Sequence, residues 1–328
     1  MFPHLLTTLS FPLFVASSLS NLSSPRSYST PDSFQLQEEI IGKQFYDAFN
    51  FDTFNDPTHG RVNFVDQGYA ESNNLTYASD SKFVMRADSI NLVKPGSRGR
   101  DSIRISSKKY YEDSVLVLDL THMPTGCGTW PAFRTFFTND GRHRHHRRDQ
   151  HSQLVSGASL HTTPGCNMTT PRQMTGVAES EECDSKKNQN SGCGVNFGEN
   201  SYGQGFNTGE GGWYAMRRTQ DGISVWFWAR NNYSVPKDAR HGKRSVQPEN
   251  WGLPVADFPS NNYDMRSSHF GAYMIIFDLT LCGDWAGNQY PNSGCPGTCI
   301  DCKFVTAETR RNCTDHIRIQ TLCGTPSA

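Results

Sequence analysis

Four stretches of the chain carry apolar residues with the period of a β-strand. Ser114–Leu120 reads Ser-Val-Leu-Val-Leu-Asp-Leu, and residues 153–160 and 272–278 are further runs of the same kind. Residues 223–228 alternate most clearly. Ile223, Val225 and Phe227 face one way, and Trp226 and Trp228 the other. Glycine-rich segments such as residues 203–212 fall between these runs and read as loops. No 3.6-residue apolar pattern lasts long enough to predict a major helix. From Ile40 onward the pattern predicts one domain without internal repeats, all-β, an antiparallel β-sandwich of the concanavalin A-like jelly-roll type. If Val225 and Phe227 face the core, the two indoles face outward or line a concave side. There, flat aromatic faces stack on the apolar faces of pyranose rings; burial between packed layers is the alternative.

Composition adds a destination. The 328 residues have a formal net charge of −1, which gives no bias toward nucleic acid or acidic lipid. Residues 1–20 hold an apolar stretch around Leu5 to Val15 followed by Ala16, Ser17 and Ser18, the pattern of a secretory signal peptide cleaved near Ser20. The stretch is too short, and too interrupted by Pro3 and Pro12, to span a bilayer, and no other segment could span one. Residues 21–38 are a Ser/Pro-rich lead-in. Ten cysteines and acceptor sequons at Asn21, Asn74, Asn167, Asn232 and Asn312 agree on an oxidising route. The protein is therefore expected to be secreted, to the extracellular space or cell wall, as a monomeric glycoprotein without membrane or nucleic-acid partners. Cys295, Cys299 and Cys302 are close enough for a zinc knuckle, but no histidine follows at finger spacing, and pairing with each other is the better reading. Cys127 and Cys166 also read as disulfide cysteines. No metal and no cofactor is expected.

Five blocks carry a resemblance. They are residues 45–66 (FYDAFNFDTFNDPTHGRVNFVD), 99–133 (GRDSIRISSKKYYEDSVLVLDLTHMPTGCGTWPAF), 160–166 (LHTTPGC) and 211–230 (GGWYAMRRTQDGISVWFWAR), with ADFPSNNYDM, FDLTLCGDWAG and SGCPGTC running to Cys299. Together, over residues 39–301, they resemble the fungal laminarinase-like branch of glycoside hydrolase family 16, the endo-β-1,3(4)-glucanases. The resemblance implies a jelly roll whose concave face forms a β-glucan cleft, and retaining hydrolysis of β-1,3 or mixed β-1,3/1,4 glucan. It also implies substrate contacts at Trp130, just before the catalytic strand, at His161 on the neighbouring strand, and at Arg104, Trp213 and Trp226. A half-buried, structurally satisfied ring is the alternative for His161.

In that family the catalytic strand carries Glu-x-Asp-x-(x)-Glu between WPAF and LHT. Retaining chemistry needs two carboxyl groups about 5–5.5 Å apart, and alternate strand residues share a face. Here the stretch reads Gly141-Arg-His-Arg-His-His-Arg-Arg148. Arg142 stands at the nucleophile position, Arg144 at the middle Asp and Arg147 at the acid/base, so no catalytic carboxylate is intact. Arginine gives up no proton near neutral pH. Asp-Ile-Asp-Ile-Ile-Glu-Gly, encoded GAC ATC GAC ATC ATC GAA GGN and read one base early, gives Arg-His-Arg-His-His-Arg-Arg, which is Arg142 to Arg148 in full. The run therefore reads as a frame-shifted catalytic strand whose first restored acid is Asp. A phosphate-binding patch or a histidine metal site each explains only one residue type. Arg134 stands where the family has Trp. Residues 302–328 show no closing strand and read as an atypical tail. The chain as written is predicted inactive, leaving a non-catalytic glucan-binding protein or a defective gene product as alternatives.

Overall fold

The computed structural model describes residues 33–94, 96–137, 157–168, 171–260, 269–299 and 317–324. The leader, the run from Arg142 to Arg148, and Asn21, Cys302, Asn312 and Cys313 lie outside the described residues. In chain order the strands begin with β1 (Phe34–Ile41), β2 (Phe49–Phe51), β3 (Val62–Phe64), β4 (Thr76–Ala78), β5 (Phe83–Met85) and β6 (Arg100–Ser102). Next come β7 (Arg104–Ser107), β8 (Ser114–Leu120), β9 (Thr129–Phe137), β10 (Gly157–Leu160), β11 (Val177–Ala178) and β12 (Cys193–Asn196). The last are β13 (Gly212–Thr219), β14 (Gly222–Ala229), β15 (Ser245–Val246), β16 (Ala256–Pro259), β17 (Tyr273–Leu281) and β18 (Ile317–Gly324). A seven-stranded sheet, β15-β1-β18-β8-β13-β14-β16, lies over a four-stranded one, β2-β7-β17-β9, and β10-β12-β11 form a third. The four expected runs are β8, β10, β14 and β17, with residues 153–156 outside the described part. Among the described residues every helix is a turn or two long.

Period-2 alternation decides which side chains meet. On β8, Leu116 and Leu118 join Ile105 of β7 and Ile275 and Phe277 of β17 in the core between the two large sheets. Val115 and Val117 point the other way, into a second cluster with Trp213, Trp226, Trp228 and Trp251. The larger sheet is thus buried on both faces, because residues following β14 fold back over its outer side. The expected loop at 203–212 holds a short helix, Gly203–Thr208. Phe206 anchors it, its ring 6.0 Å from Tyr214 and 6.2 Å from Phe227.

Both expected boundaries move outward. Phe34, read as lead-in, is buried and opens β1, paired with Val246 and Gly324. Residues 302–328 do contain a closing strand: β18 lies between β1 and β8. Ile317 and Ile319 enter the inter-sheet core and Leu322 the outer cluster. The strand is hard to read because Arg318 and Gln320 break the apolar run. Glu39 on β1 pairs with Arg318 and accepts from Gln320 Nε2 at 2.9 Å. Ile319→Ala, made at a fully buried site in this middle strand, is expected to lower unfolding free energy by about 2–5 kcal/mol, measured by urea denaturation.

Candidate active-site cleft

The four-stranded sheet turns Phe277, Ile105 and Phe133 toward the core, so the residues alternating with them stand on its other face. Cross-strand register puts Trp130 opposite Thr280, Ala132 opposite Asp278, and Asp278 opposite Arg104. These side chains, with Arg134 and Ser106, share one face. Among the described residues β9 is the edge strand of this sheet, and the run from Arg142 to Arg148 follows it in sequence.

A chain of charge-assisted hydrogen bonds crosses the face. Ser106 Oγ donates to Asp52 Oδ1 at 3.0 Å, and Arg104 Nε to Asp52 Oδ2 at 3.2 Å. Arg104 Nη1 then donates to Asp278 Oδ2 at 2.9 Å, and Arg134 Nη2 to Asp278 Oδ1 at 2.8 Å. The Asp278 side chain is 1% exposed, and a guanidinium flanks it on either side. Burial pushes the Asp52 carboxyl above its usual range despite the opposing pull of Arg104 and Ser106.

Aromatic rings close one end of the face. Trp130 lies between Trp285, 5.6 Å away, and the Arg134 guanidinium, 5.4 Å from its ring. The disulfides Cys127–Cys295 and Cys282–Cys299 fasten the chain entering β9 and the chain leaving β17 to the segment carrying Trp285. A Cβ on Gly128 would fall 2.9 Å from Cys299 Sγ, so the close approach of this turn needs glycine. Beside it, Asp56 accepts from Thr58 N at 3.0 Å, Gly60 N at 3.1 Å and the Thr280 hydroxyl, pinning the preceding loop to the face.

Of the five residues expected to contact substrate, the structure brings two together on this face, Trp130 and Arg104. Arg104 is occupied by two carboxylates and buried. Trp213 and Trp226 stand on the larger sheet, in its outer cluster. Trp213 is 3% exposed beneath Arg230, whose guanidinium is 4.1 Å from the ring. Trp226, expected outward or on the concave side, is 4% exposed. Its Nε1 donates to Gly252 O at 3.0 Å and Trp251 packs edge-on at 5.3 Å. The sequence pattern gave the right faces, but residues folded over the outer side cover the indoles. His161 follows β10, half-buried, with Nδ1 2.9 Å from Asn190 Oδ1.

The cysteines also differ from expectation. Cys295 and Cys299 each bond a distant partner rather than one another, and Cys183 pairs with Cys193. Cys166, expected in a disulfide, is a buried free thiol whose pKa burial raises. Sequence reasoning passed over Asp52, Asp278 and Trp285. Asp278 had a signal: an acid inside the apolar run of β17 is seldom buried without a partner.

This arrangement is a two-sheet jelly roll with a charged and aromatic track on one face. Residues 49–316 match the family described as XgeA-like, catalytic GH16 domain, and the chain belongs to glycoside hydrolase family 16. A probable glycosidase of Schizosaccharomyces pombe is 40% identical over 284 residues, 82% of this chain and 64% of that protein. A probable endo-1,3(4)-beta-glucanase of Aspergillus clavatus is 34% identical over 319 residues, 94% of this chain and 47% of the relative. The chain thus spans about half to two thirds of these relatives' length. Laminarinase 16A of Phanerochaete chrysosporium, solved with β-glucans in its donor and acceptor sites, superposes with a TM-score of 0.81 at 40% identity, covering 88% of this chain and 99% of that one. An elongating family-16 β-1,3-glucosyltransferase superposes at 0.77 with 29% identity, over 88% and 99% of the two chains.

Asp278→Ala leaves Arg134 without its acid and is expected to cost about 3–5 kcal/mol. Trp226→Ala is expected to cost about as much through its cavity, with glucan affinity unchanged in the folded fraction. Thermal unfolding and titration with laminari-oligosaccharides separate the two effects. Asp52 makes a pH prediction. Its folded pKa is raised, so its contribution is fully present below the ordinary carboxylate pKa and is lost as pH rises through the folded value. Asp52→Asn is expected to remove that decline from the stability–pH curve.

Proposed function

We propose that the domain binds β-1,3-glucan, or mixed β-1,3/1,4-glucan, in the cleft of a retaining endo-glucanase, and that the chain as written does not hydrolyse it. The observation that carries the second half is in the sequence: from Arg142 to Arg148 there is no Asp or Glu. Double displacement needs a carboxylate to attack the anomeric carbon and a protonated carboxyl to donate its proton to the leaving oxygen. The names of the relatives and the sugar-bound laminarinase support β-glucan as the ligand.

The continuity of β9 supports the frame-shift reading of the run. Its pairing with β17 proceeds residue by residue from Thr129↔Leu281 to Phe137↔Tyr273. On that reading the frame changes after Phe137 and before Arg142, and the original frame returns before Gly157. We further propose secretion as a monomeric glycoprotein. The three disulfides among the described residues support an oxidising route, and Asn74, Asn167 and Asn232 are all exposed.

Purified chain incubated with laminarin is expected to release no reducing sugar while binding laminarihexaose with a Kd on the order of micromolar, about −8 kcal/mol. Turnover would overturn the inactive reading, and absence of affinity the glucan-binding one. Transcript sequencing across residues 134–150 tests the frame: a message encoding Asp-Ile-Asp-Ile-Ile-Glu-Gly would mark an active enzyme.

A further inference from the structure

Arg134 is the unexpected member of the charged track. It stands on β9 four residues beyond Trp130, and the two side chains lean together over Ala132, whose methyl leaves them room. The guanidinium covers the indole, and Trp130 is 6% exposed in consequence of its neighbours. The ring expected to contact substrate therefore has Arg134 over it and Trp285 tilted beside it. The group presented at this point is the guanidinium itself, whose side chain is 21% exposed.

The guanidinium is also preorganised. Asp278 fixes one nitrogen, and Asp278 is fixed in turn by Arg104, Asp52 and Ser106. A guanidinium has five N–H donors in a planar fork. Among the described residues, Arg134 donates only to Asp278. The remaining donors have a fixed direction and an accessible edge. Among the described residues two arginines face two acids along the track, a balance that favours a neutral, hydroxyl-bearing ligand over an anion.

We infer that Arg134 is a specificity-determining residue of the cleft, donating in-plane hydrogen bonds to a pair of hydroxyls on a neutral glucosyl residue, with Trp130 as its support rather than the sugar's platform. This rests on the β-glucan reading above and deepens it. Arg134 stands where the family has Trp, so the contact made there is directional and selects by hydroxyl orientation.

The experiment is calorimetric titration of the full chain and of Arg134→Ala and Arg134→Lys with laminarihexaose and with a hexasaccharide of uronic acids. Arg134→Ala is expected to weaken laminarihexaose binding about tenfold. Arg134→Lys keeps the positive charge beside Asp278 but loses the planar fork, so it is expected to bind several-fold more weakly while its unfolding midpoint stays that of the unsubstituted chain. That split between affinity and stability would not arise from a purely structural arginine. Equal or tighter binding by Arg134→Ala would overturn the inference, showing that the guanidinium only shields Trp130. Preference of the unsubstituted chain for the uronic acid hexasaccharide would overturn the neutral-ligand assignment. If the unsubstituted chain binds neither sugar, the glucan reading itself fails and takes this one with it, whereas binding that ignores position 134 defeats this one alone.

Discussion

A buried carboxylate between two arginines holds the functional face of this protein together. Asp278 has one side of its carboxylate on Arg104 and the other on Arg134, and those arginines come from the strands flanking β17 on either side. A charge so deep is tolerated only when its oxygens are satisfied. Three neighbouring strands are thereby committed to one register, since a one-residue slip of any of them would move its charged member into the core. The aromatic end of the face depends on the same register, because Trp130 and Arg134 meet only if both stand on the side of β9 that Asp278 occupies on β17.

The fold was largely legible because its information is period-2 alternation, and alternation survives without knowledge of neighbours. Ile223, Val225 and Phe227 were separable from Trp226 and Trp228 by that rule alone. What lies over each face is a different kind of information. Trp226 is roofed by Trp251 and Gly252, more than twenty residues on in sequence, and no local pattern announces that return. β18 was missed for a related reason: Arg318 and Gln320 look like loop residues until Glu39, at the other end of the domain, supplies their partner.

The site was legible through blocks of resemblance rather than through chemistry, and resemblance misjudges individual side chains. Arg104 was expected at the sugar and is spent on two acids. Arg134 stands where the family has Trp, yet it has an ion pair, a ring to lie on and a small neighbour that makes room. The distinction between a decayed position and an altered one lies in whether polar groups find partners, and at Arg134 they do.

The place of β18 has a consequence for how the chain is made. The strand fills a central position of the seven-stranded sheet, and its contacts reach residues of β1 that are 279 positions earlier, as between Arg318 and Glu39. During synthesis β1 and β8 emerge long before the strand that must lie between them. Until then each has an unpaired edge, and such edges join other chains readily. Contacts of such long range also make folding slow. A ribosome that stalls or terminates before Ile317 would therefore release a sheet with an empty central position, a species destined for aggregation rather than for a shorter domain. Quality control on this protein would thus read the last described strand, far in sequence from the cleft.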